Sequence, residues 1–108
     1  MKKFDEDYIL LEDMVDDSYY PKFLVDKVKE LIVPIISLLE KGERNKEIIQ
    51  SELDKMTLAI NDLQEEFEKN DSEIETVARD SIYSTIEYIL EWFHIDINTE
   101  TALGERDW

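Results

Sequence analysis

The chain predicts a compact all-α domain, and three observations carry that expectation. Two Gly and two Pro in 108 residues, against about 7% and 5% in ordinary proteins, leave few positions for the turns of a many-stranded fold. Four stretches repeat apolar residues at helical spacing. A hydrophobic content of 43% with eleven aromatic residues supplies the core that a disordered acidic segment lacks. At about 100 to 150 residues per domain the length fits one domain over 1–108. The expected architecture is a bundle of about four helices with a short C-terminal turn.

Tyr8, Ile9, Leu11 and Met14 or Val15 recur at helical spacing behind Asp5-Glu6-Asp7, acids that suit the positive end of a helix dipole. They predict a first helix over about 5 to 16. Asp16-Asp17-Ser18 breaks the pattern, and Pro21 pre-sets the backbone for the first turn of a second helix over about 21 to 41. Phe23, Leu24, Val25, Val28, Leu31, Ile32, Val33, Ile35, Ile36, Leu38 and Leu39 cover most of its circumference, the pattern of a central helix buried on several sides. Pro34 removes a donor and clashes with the carbonyl of Glu30, so a bend or break is expected near Ile32 to Pro34.

Gly42 is the natural left-handed cap of that helix, and Asn45 caps the next, unless Glu43 begins it earlier. Ile49, Leu53, Met56, Ile60, Leu63 and Phe67 alternate spacings of four and three, a narrow apolar seam along a third helix over about 45 to 69. Asn70-Asp71 ends it. Ser72 and Glu75 have the spacing of a capping box, which starts the fourth helix at Glu73. Ile74, Val77, Ala78, Ile82, Tyr83, Ile86, Ile89, Leu90, Trp92 and Phe93 give that helix a broad apolar face to about residue 93. The remainder, Asp96 to Trp108, has room for one more turn capped by Asn98 or Thr99. Helices 2 and 4 are expected to be central.

Twelve Lys and Arg against 28 Asp and Glu give a net charge of −16. Such a chain repels a phosphate backbone, so nucleic acid is excluded as a partner. Absence of cysteine removes disulfides, thiolate nucleophiles and the common structural zinc sites, and is compatible with a reducing cytosol. Lys2-Lys3 is followed by Asp5-Glu6-Asp7 where an export signal needs an apolar segment. The longest apolar stretch, Leu31 to Leu39, is interrupted by Pro34 and Ser37 and falls short of the ~20 residues that span a bilayer. A cytoplasmic setting without membrane association is expected. The acid lies outside residues 22–41, whose net charge is +1, as expected where burying unpaired carboxylates would cost several kcal/mol each.

Four stretches, Tyr20-Pro21-Lys22-Phe23-Leu24-Val25-Asp26-Lys27, Asn61-Asp62-Leu63-Gln64-Glu65-Glu66-Phe67, Ser72-Glu73-Ile74-Glu75-Thr76-Val77-Ala78-Arg79 and Arg106-Asp107-Trp108, together resemble a domain-of-unknown-function family of small acidic bacterial proteins. The resemblance covers most of residues 20 to 108 and implies no activity. The chain departs from the family's pattern at two places: a Gly before the Ser-Glu-Ile-Glu stretch is replaced by Asp71, and a Tyr-Gly-Phe by Phe93-His94-Ile95. Asp tolerates a left-handed backbone less easily than Gly.

The inventory for catalysis is thin: one histidine, no Gly-rich phosphate cradle, and serines without a nucleophile elbow. Glu91-x-x-His94 has the spacing of ferritin-like metal sites, which need a second such pair and two further Glu. The plainer reading makes His94 a helix C-terminal residue. Asp96-x-Asn98-x-Glu100 begins like a calcium loop, yet Thr101 stands where the turn glycine belongs and Asp107 where the bidentate Glu belongs. No cofactor or metal follows.

Two sets of residues stand out. Glu75 and Arg79 are four apart on one helix face, and Arg79 is within reach of Thr57, Asn61 or Glu65 if the third and fourth helices form a hairpin. The polar cluster Asn61, Glu65, Glu75 and Arg79 is either a structural bridge or a grip on a small polar ligand. Tyr20, Trp92 and Trp108, with Tyr19 and Phe93 nearby, are aromatic residues near segment ends and candidates for partner contact. Trp108 is expected to dock back on the helices with Arg106 and Asp107 bonding nearby groups. The chain reads best as a non-enzymatic acidic module for a basic protein, of immunity or inhibitor type, steered by charge and held by aromatic anchors. The alternatives are a small-ligand or metal-binding protein using Arg79 and its neighbouring carboxylates, and a structural homo-oligomer paired through the third helix. The seam lasts under three heptads, which favours a monomer over a homodimer.

Overall fold

The computed structural model describes residues 2–108, and among them there are five helices and no strand. Three are long: α2 (Lys22–Glu40), α3 (Lys46–Lys69) and α4 (Thr76–Trp92). Two are single turns, α1 (Glu12–Val15) and α5 (Thr99–Ala102). The closest pairing is α2 with α3, while α4 packs against α1 and α5. A radius of gyration of 13.5 Å matches the roughly 13 Å of a compact 100-residue domain. The expected all-α single domain is what forms.

The α3 seam lies inside: Ile49, Leu53, Ile60 and Phe67 are fully buried, Met56 nearly so, and Leu63 is partly buried against the core. From α2 come Leu24, Val28, Ile32 and Leu39, all without exposed surface. The expectation that α2 is buried on several sides needs correction. Phe23 is 51% and Val33 47% exposed, because α2 packs mainly on α3 and keeps a solvent face. Nor does Pro34 break it. The helix runs continuously from Lys22 to Glu40 with Pro34 inside. Pro34 and Glu30 are both exposed, so solvent reaches the Glu30 carbonyl that has lost its helical donor.

All three long helices end the same way. After α2 the Glu43 N–H donates to Leu38 O and the Gly42 N–H to Leu39 O. After α3, Ser72 donates to Phe67 O and Asp71 to Glu68 O; after α4, Ile95 donates to Leu90 O and His94 to Glu91 O. Each is a Schellman motif with a left-handed residue at its centre. Gly42 has φ 95°, whereas Asp71 and His94 are held at 57° without the freedom of glycine.

The first helix is far shorter than expected. Instead of a helix from residue 5, a turn forms in which the Asp7 N–H donates to Asp5 Oδ1 and the Tyr8 N–H to Asp5 O. The segment then runs along α4. Phe4 lies 5.9 Å from the Tyr88 ring and 6.1 Å from those of Trp92 and Phe93, and Tyr8 stacks on Tyr88 at 4.1 Å. Helical geometry over 5 to 11 would give up these aromatic contacts, each worth about 0.5 to 1.5 kcal/mol beyond the area buried. Leu11, fully buried, adopts a left-handed φ of 56° and donates its N–H to Thr85 Oγ1. Burial holds a conformation that is otherwise costly for a leucine.

The fourth helix also starts later, at Thr76 rather than Glu73, and the capping box does not form. Glu75 occupies the N-cap position without a side-chain hydrogen bond. Ser72 Oγ is buried with no protein partner, because the backbone of Ser72 is already committed to closing α3. The Tyr20 hydroxyl takes over, accepting from the Ala78 N–H at 3.1 Å.

Candidate functional site

Where α3, α4 and the C-terminal tail meet, the four residues of the expected polar cluster are dispersed. Asn61 clips the tail: its amide donates to Glu105 O at 2.8 Å, and its Oδ1 accepts from the Asp107 N–H at 3.2 Å. Gln64 donates to the Asp107 carboxylate. Arg106 lies over Tyr83 of α4. The tail therefore bridges α3 and α4, and Arg79 does not reach across. Thr57 is buried and donates back to Leu53 O, while Glu65 and Glu75 are exposed. Arg79 bonds Thr76 Oγ1 at 3.3 Å instead.

Arg79 lines a cleft of about 480 Å³ with Thr76, Asp80, Tyr83, Glu100, Arg106 and Trp108. Arg106 bonds Glu100 at 3.0 Å, and its guanidinium centre lies 5.8 Å from both the Tyr83 and the Trp108 ring. Trp108 docks back on the body as expected: it is partly buried against the core, with its indole nitrogen out of solvent. Sequence reasoning missed Tyr83, Thr76 and Glu100 as neighbours of Arg79. Their spacing along α4 was available for the first two, but the place at which the returning tail brings Glu100 to Arg79 was not.

The three aromatic candidates lie in three separate places. Tyr20 is 5% exposed and caps α4 from within. Burial pushes its phenol above the usual tyrosine range, the Ala78 N–H opposes this, and the charges of Asp17, Glu75 and Tyr19 add to the rise. Trp92 lies under the N-terminal strap, donating its indole N–H to Lys3 O at 2.8 Å with the Lys2 ammonium 4.9 Å from its ring. Beside it Tyr88 donates to Asp5 at 2.6 Å. That bond, helped by the Asp7 N–H, holds the Asp5 carboxyl below its ordinary value and raises the Tyr88 phenol. The aromatic residues left open to solvent are Tyr19, at 41%, and Phe23, near the junction of α1 and α2.

Among the described residues no group of three or more His, Asp or Glu side chains converges to hold a metal ion. Asn98 caps α5 by accepting from the Glu100 N–H at 2.8 Å, the alternative that its sequence position offered. His94 is an exposed helix C-terminal residue. No helix among the described residues is long and apolar enough to cross a membrane.

Fold and surface together define an acidic, all-α, single-domain protein with a docked aromatic C-terminus. The chain belongs to a family of unknown function, DUF5713, whose model matches residues 4–108. Comparison with curated proteins and with solved structures found no match.

Proposed function

We propose that this protein is a non-enzymatic acidic module that binds a basic protein, as an immunity or inhibitor protein does, in the cytoplasm. The observation that carries this reading is the disposition of charge: none of the 28 acidic residues is buried, and among the described residues four ion pairs engage four of them. A surface of unpaired carboxylates accelerates encounter with a positive partner, and apolar anchors then slow its departure. Val15, Tyr19 and Phe23, each at least 41% exposed, stand among Asp13, Asp16, Asp17 and Asp26 and supply such anchors. The seam of α3 is covered within the chain, so pairing of two copies through it would have to uncover the core.

The test is capture from the native cell at low salt by the immobilised full chain, followed by elution with rising salt. A basic protein released by salt, and lost when Tyr19→Ser and Phe23→Ser are combined, is the expected result. Capture insensitive to both salt and the double substitution would sink the reading.

A further inference from the structure

Residues 72–108 contain nine acids and only two side chains of fixed positive charge, Arg79 and Arg106, and the fold brings both to the one cleft beside Trp108. They arrive from different elements, the first turns of α4 and the tail beyond α5. Their situations differ. Arg106 is fixed by Glu100 and by the two rings at 5.8 Å. Arg79 has no carboxylate within ion-pair distance among the described residues, and its bond to Thr76 leaves most of its five-donor fork open. Glu75 at the favourable helical spacing does not pair with it, in a chain where acids outnumber bases more than two to one.

We propose that this cleft binds a small monocarboxylate with an apolar or aromatic body, the carboxylate on Arg79 and the body against Tyr83 and Trp108. The planar guanidinium matches a carboxylate in bidentate geometry. Asp80 and Glu100 on the lining, and the net charge of the whole chain, oppose a dianion such as phosphate far more than a monoanion. The half-buried faces of Tyr83 and Trp108 reward an apolar body. A volume of about 480 Å³ lies within the range of small-molecule sites. The inference is independent of the basic-partner reading, since it uses the opposite charge and a different set of side chains.

The experiment follows the two indole N–H signals of the full-length ¹⁵N-labelled protein by NMR during titration with 3-phenylpropionate, inorganic phosphate and 3-phenylpropanol. Trp92, whose indole bonds Lys3 O, is the internal control. The expected result is a saturable shift of Trp108 alone, with 3-phenylpropionate alone. Arg79→Gln weakens it about tenfold or more, and Arg79→Lys, which retains the charge without the fork, falls between. If Arg79→Gln disturbs the Trp92 signal, the Arg79→Lys titration decides. No saturable shift, an equal shift with phosphate or with the neutral alcohol, or an affinity indifferent to Arg79 would overturn the proposal.

Discussion

The starts of α3 and α4 solve one problem by opposite means. Each helix begins with backbone donors that have no partner within the helix. At α3 the solution is local: Asn45 Oδ1 accepts from the N–H groups of Glu47 and Ile48. At α4 the equivalent local device, Ser72 with Glu75, is present in sequence and unused, and the acceptor comes from Tyr20, 58 residues away. The difference arises because Ser72 has a prior commitment. Its N–H closes the Schellman motif of α3 onto Phe67 O at 2.9 Å, which draws its side chain inward. A cap from within the sequence survives local unfolding, whereas a cap from another element exists only while the tertiary structure does.

The contrast is broken most directly at Tyr20. Tyr20→Phe keeps the ring in the core but leaves the buried Ala78 N–H without an acceptor, and should cost about 1 to 3 kcal/mol. The urea midpoint should fall with the slope unchanged. Alkali tests the same residue. The folded state holds the raised Tyr20 proton more tightly than the unfolded chain, whose tyrosines titrate near about 10. That contribution is therefore complete below pH ~10 and disappears as pH rises through the folded value. Tyr88 acts with the same sign, so a shallower alkaline loss in Tyr20→Phe than in the wild type isolates Tyr20. Identical alkaline profiles would mean that its phenol is not held by the fold.

Asn45→Ala should cost less, about 1 kcal/mol, since α3 loses a local acceptor at an exposed end where water substitutes. Hydrogen exchange should quicken at Glu47 and Ile48 and stay unchanged at Ala78, whereas Tyr20→Phe should reverse that pattern. Asp71→Gly should stabilise by about 0.5 to 1 kcal/mol, because φ 57° strains any residue with a Cβ. A rise in the thermal midpoint checks it. The smallest effect belongs to Ser72→Ala. If the local cap is truly idle, removing the unpartnered hydroxyl shifts stability by less than about 0.5 kcal/mol. A loss nearer 2 would restore the capping box and erase the contrast.

Much of the fold is legible in the chain because it depends on short-range pattern. The α3 seam from Ile49 to Phe67 reads directly as a buried stripe, Gly42 as a left-handed terminus, and Asn45 and Asn98 as caps. The misread elements share a cause. Tyr8, Ile9 and Leu11 carry a helical spacing, but the rings of Phe4 and Tyr8 gain more on Tyr88, Trp92 and Phe93 than a helix would retain. In α2, apolar residues around most of the circumference suggested burial on several sides, and only the placement of α3 and α4 shows which face stays in water. The cleft was half legible. Arg79 stands out as a lone cation among acids, but Asn61 and Glu65 were the wrong neighbours because the tail, not a bare α3, meets α4.

The sequence by itself determined the all-α class, the three long helices and the acidic exterior, since Gly and Pro content, apolar periodicity and charge act through neighbours within a turn or two. It also determined that Trp108 docks, because a large ring at the end of an ordered tail loses less by packing than by remaining in water. Tertiary structure alone decided that Tyr20 caps α4, that the N-terminal strap abandons its helix, and that Arg79 and Arg106 share a cleft. Each of these depends on a contact between segments more than 25 residues apart. Such a contact forms only after the core has fixed where the helices lie, and no local periodicity encodes it.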